Sequence, residues 1–74
     1  DSTDIYSKVV ENGYDSSNYL NMYITNLSDY GFVWKVDERS KTEVDEYDME
    51  VIVNAYIFDL YTGKLETISQ EDLY

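Results

Sequence analysis

The sequence predicts a single α+β domain: an N-terminal helix packed on a small antiparallel sheet of three or four strands. Three observations lead there. Apolar residues near the start recur at helical spacing, whereas later segments alternate or run apolar at strand spacing. The chain has only 74 residues, no Pro and three scattered Gly, so nothing divides it into two units.

Residues 2–13 read as a short helix. Ser2 or Thr3 is placed as N-cap, and Asp4 sits in the first turn, where the helix dipole favours a negative charge. Ile5 and Val9, with Tyr6 and Val10 beside them, form the apolar stripe, and Gly13 is placed to end the helix in a left-handed cap. A helix this short is not stable alone, so it must pack on something.

Residues 14–18 form a polar turn. Residues 19–27 read two ways. As a helix they offer Leu20, Tyr23, Ile24 and Leu27 on one face; as a strand they alternate Leu20, Met22 and Ile24 against Asn21, Tyr23 and Thr25. The Asn, Thr and Tyr here are poor helix formers, which favours the strand. The alternative is a fold of two helices and a three-stranded sheet.

Residues 28–31 are a turn, and 32–37 alternate as a half-buried strand, with Phe32, Trp34 and Val36 against Val33, Lys35 and Asp37. Residues 38–46 are polar and charged and read as a loop. Residues 47–60 are apolar on both faces, the pattern of a central strand with a partner on each side. Residues 61–64 are a tight turn, in which Gly63 supplies positive φ, and 65–69 return as a short strand. Ser69 to Asp72 has the form of a capping box that can start one helical turn.

Composition then limits function. A chain of this length buries only about 60% of the surface its unfolded form exposes. With no Cys and no His it has neither disulfides nor the usual zinc and copper ligands, and it lacks nucleophilic triads of the ordinary kind. Its stability must come from aromatic packing, from nine Tyr, two Phe and one Trp, or from self-association. No calcium loop is encoded, because no Gly lies between Gly31 and Gly63 at the position such a loop requires. We expect no enzyme, no catalytic residues, no metal and no cofactor. With no apolar run of membrane length and no signal-peptide pattern, the expected location is cytoplasmic, the host cytoplasm if the protein is phage-encoded.

The dominant feature is charge: 16 acids against five bases, a net of −11. Nucleic acid and anionic membrane both need Lys and Arg to neutralise phosphate, so neither is an expected direct partner. A basic protein surface is. Residues 37–50 hold seven acids against Arg39 and Lys41, a local net of −5. In extended chain, alternate side chains on one face lie about 6.6 Å apart, twice the rise per residue. DNA carries about one negative charge per 1.7 Å of axis, so a rigid row of carboxylates imitates a phosphate track. The residues assigned to partner binding are therefore Asp37, Glu38, Glu43, Asp45, Glu46, Tyr47, Asp48 and Glu50, with Tyr47, Tyr61 and Tyr74 as amphipathic anchors.

In size, acidity, lack of Cys and Tyr-rich composition the chain resembles the small acidic inhibitors that phages and mobile elements direct against host nucleic-acid-binding enzymes. These include DNA mimics that block restriction enzymes, CRISPR effectors and uracil-DNA glycosylase. The likeness is one of class, without a shared motif. It implies an anti-CRISPR or anti-restriction type of inhibitor that occupies a basic cleft. The alternative is a non-catalytic protein–protein interaction module or accessory subunit that binds through an edge strand or apolar face. A homodimer is compatible with both.

Overall fold

A computed structural model describes residues 2–69. One helix, α1 (Ser2–Glu11), packs on a four-stranded antiparallel sheet made of β1 (Tyr19–Leu27), β2 (Gly31–Val44), β3 (Glu50–Asp59) and β4 (Leu65–Ser69). The strand order is β1-β2-β3-β4, a simple meander. This is the α+β fold that the periodicities predict, with residues 19–27 as a strand.

α1 buries Ile5 and Val9, one turn apart, against Val36, Tyr56 and Phe58. Burying an Ile or Val side chain contributes roughly 1.5–3 kcal/mol, which fastens a helix too short to persist by itself. Tyr6 and Val10 stay about half exposed. Ser2 and Thr3 lie inside the helix and so do not cap it. The helix ends two residues earlier than the spacing predicts, in the cap assigned to Gly13. Gly13 has φ +99°, its N–H donates to the Val10 carbonyl (3.2 Å), and the Tyr14 N–H donates to the Val9 carbonyl (3.3 Å). The Tyr14 ring then meets Tyr6 edge-on.

The register assigns the faces. On the helix side lie Leu20, Met22 and Ile24 of β1, Phe32, Trp34, Val36 and Glu38 of β2, and Asn54, Tyr56 and Phe58 of β3. The other face carries Tyr23, Val33, Lys35, Asp37, Ala55 and Ile57. β3 is central, as its two apolar faces predict, and residues 55–58 are buried in succession. β2 is also internal, and Val33 is buried on the face away from the helix.

β2 differs most from expectation. The polar composition of residues 38–46 predicts a loop, yet β2 runs on to Val44. The ladder with β3 is interrupted twice, between Glu38 and Arg39 and between Arg39 and Val44. In the second interruption β2 carries extra residues, gathered by Ser40, whose hydroxyl accepts from the N–H of Thr42 (3.1 Å) and Glu43 (3.0 Å). Polar residues are tolerated in this strand because their side chains find partners elsewhere in the fold. Likewise, Tyr47, Asp48 and Met49 precede β3 instead of starting it. The capping-box residues 70–72 and Tyr74 lie outside the described residues. No helix among the described residues is long and apolar enough to cross a membrane.

Candidate partner-binding hairpin

Among the described residues, β1 pairs with β2 as far as Arg39, and β4 pairs with β3 from Ala55 onward. Among the described residues, 40–53 therefore extend beyond the four-stranded body as a two-stranded arm. Its tip is a three-residue loop of Glu46, Tyr47 and Asp48. The Asp45 N–H donates to the Met49 carbonyl (2.8 Å) and the Asp48 N–H to the Asp45 carbonyl (3.1 Å), while Asp48 adopts φ +61°. This is a type I turn closed by a left-handed residue. Asp48 is one of the few side chains that tolerate that conformation. The Asp45 carboxylate accepts from the N–H of Tyr47 (2.8 Å) and Met49 (3.0 Å), so it holds the turn together.

The structure divides the eight assigned residues into two groups. Glu43, Asp45, Glu46, Tyr47, Asp48 and Glu50 gather on the arm. Glu43, Glu46 and Asp48 are exposed, Asp45 and Glu50 are half-buried, and Tyr47 is 76% exposed at the tip. The carboxylates of Glu43, Glu46, Asp48 and Glu50 have no hydrogen-bond or ion-pair partner among the described residues. The two bases of the segment do not neutralise them. Arg39 donates to the Glu50 carbonyl (3.2 Å), and the Lys41 ammonium lies over the Tyr19 ring, 4.9 Å from its centre.

Asp37 and Glu38 do not belong to that surface; this corrects their assignment to partner binding. Both are almost fully buried. Asp37 forms an ion pair with Lys35 (3.0 Å) and accepts from the Tyr23 hydroxyl (2.9 Å). Burial acts to lower the Lys35 pKa, but the bonds to Asp37 and Tyr23 outweigh it and hold the ammonium above its ordinary value. Burial raises Tyr23, and the bond to Asp37 adds to the rise against the opposing pull of Lys35.

Glu38 is a hub. It accepts from the Asn18 amide (2.7 Å), the Asp15 N–H (3.3 Å), the Asn54 amide (3.2 Å) and the Tyr56 hydroxyl (2.9 Å). These tie the loop after α1 to β2 and β3. The Tyr56 hydroxyl is pushed up to about 12, by burial first and then by its bond to this carboxylate. A buried carboxylate is tolerable when several donors converge on it, and here they come from residues up to 23 positions away. The local sequence holds no sign of that arrangement.

Tyr61 is 83% exposed but sits past the other end of β3, about 33 Å of strand from the tip by the usual rise, so it is not part of this surface. Among the described residues no group of three or more acidic side chains is placed to hold a metal ion. Comparison with family models, curated proteins and solved structures finds no match.

Proposed function

We propose that this protein is an acidic inhibitor, of the anti-restriction or anti-CRISPR kind, that inserts its β2–β3 arm into the basic nucleic-acid cleft of an enzyme. One observation carries the reading: a two-stranded arm holds five carboxylates and an exposed Tyr at one end of the molecule, with no cation pairing those carboxylates among the described residues. Four of the five are left without a partner among the described residues, so a cationic groove would meet charges that need not first break internal bonds. Tyr47 adds a ring that can fill a pocket at low entropic cost. The net charge of −11 would steer the approach and make association fast and salt-sensitive.

The test uses purified DNA-binding enzymes of the classes named above. Each is assayed for inhibition with and without competing duplex DNA, at low and moderate salt. The expected inhibition is competitive with DNA and weakens as salt rises. It is lost in the variant Glu43→Gln, Glu46→Gln, Asp48→Asn, Glu50→Gln, which spares Asp45 because that carboxylate builds the turn. Inhibition retained by the neutralised variant, or a bound partner indifferent to DNA and salt, would sink the proposal in favour of an ordinary interaction module.

A further inference from the structure

The two edges of the sheet are protected very differently. β4, described over Leu65–Ser69, has a register shift against β3 and a charged Glu66. β1 has none of these features. It pairs with β2 through nine consecutive residues without a shift, and Tyr19–Leu27 contains no charged residue and no Pro. Among the described residues its strand pairing is with β2 alone. Sheets normally blunt an exposed edge with a Lys, a Pro, a bulge or brevity, because unpaired N–H and C=O groups template further strands. A long, straight, uncharged edge on a chain otherwise dense in carboxylates is the exception that needs a reason.

We propose that the outer edge of β1 pairs with the same edge of a second copy of this chain, antiparallel about Tyr23, and joins two four-stranded sheets into one of eight. Charge selects this occupant. Two copies at −11 repel each other, and β1 is a nine-residue stretch along which they meet without opposing carboxylates. A basic partner would find nothing on this strand to attract it. The antiparallel arrangement also keeps the acidic arms apart. Tyr19 of β1 lies beside Arg39 at the base of the arm, and Leu27 lies at the far end, so a twofold axis through Tyr23 sends the two arms in opposite directions.

The register is self-complementary. Pairing about Tyr23 sets Ile24 of one copy opposite Met22 of the other, twice, on the helix face. Ile24 is 52% exposed in the single chain, an apolar side chain left at an edge, and this contact covers it. On the other face Asn21 meets Thr25 and Tyr19 meets Leu27. Alternate residues of the strand supply the backbone hydrogen bonds.

Sedimentation equilibrium of the intact chain from micromolar concentration to about 1 mM tests this, since any specific contact stronger than millimolar shows in that range. Dimerisation is expected to strengthen as salt rises, because salt screens the repulsion between copies. Binding to a basic target weakens with salt, so this inference and the proposed inhibition fail independently. Ile24→Lys disrupts both Ile24–Met22 contacts and is expected to weaken dimerisation about tenfold. Ile68→Lys on β4 makes the same charge change at the other edge and is expected to leave dimerisation intact. Amide exchange on the unaltered chain, which needs no variant, should slow in residues 19–27 as concentration rises. A monomer at about 1 mM in moderate salt overturns the proposal. So does equal weakening by the two Lys variants, or exchange that slows at β4 instead of β1.

Discussion

Replacing Glu38 by Ala removes the carboxylate on which four donors converge. The Tyr56 hydroxyl is buried, so losing its acceptor costs about 1–3 kcal/mol. Asn18 and Asn54 are half-buried and can turn to water, at about 0.5 kcal/mol each, and the vacated side-chain volume adds a cavity term. The sum is about 2–4 kcal/mol before the cavity term, a large part of the 4–11 kcal/mol that about 0.05–0.15 kcal/mol per residue allows a chain of this size. Glu38→Gln is a different perturbation. Its oxygen can keep the Tyr56 and Asn54 bonds, its amide can donate to an Asn18 side chain flipped to accept, and the N–H of exposed Asp15 can turn to water, so the loss is mainly charge assistance, about 1 kcal/mol. Urea unfolding followed by the fluorescence of Trp34, the one Trp, measures both. A cost below about 1.5 kcal/mol for Ala, or equal costs for Ala and Gln, would refute the hub. Because Glu38 is interior, Glu38→Gln is also expected to leave inhibition and its salt dependence unchanged, although it removes one negative charge.

Two further predictions concern stability. The Tyr56 pKa is raised from 10.0 to about 12, so the folded state holds this proton more tightly than the unfolded chain does. The corresponding stability is fully present below pH 10 and is lost as pH rises from 10 towards 12, roughly 2–3 kcal/mol in all. Melting temperature should fall steeply over that interval, and Tyr56→Phe should flatten the fall. Asp48→Gly should stabilise the arm by about 0.5–1 kcal/mol, because Gly adopts φ +61° without steric cost, whereas Asp48→Val should destabilise it; thermal melts of the two variants check the sign.

Where periodicity is strong, the sequence alone determines the element. Ile5 and Val9 with Gly13 mark the helix and its end, the alternation from Phe32 to Asp37 marks a strand, the two-sided apolar run marks β3 as central, and Gly63 marks its turn. Local propensity is nearly balanced in residues 19–27; the unbroken ladder with β2 decides it. The acidity of the arm was legible too, because exposed carboxylates need nothing beyond water. What only the tertiary structure decided is which acids are surface at all. Asp37 and Glu38 stand in the same acidic run as Glu43 and Glu46, with the same chemistry. They are interior because Lys35, Tyr23, Asn18, Asn54 and Tyr56 supply the donors a buried carboxylate requires. Four of those five lie on other segments of the chain, and only folding brings them to the same place.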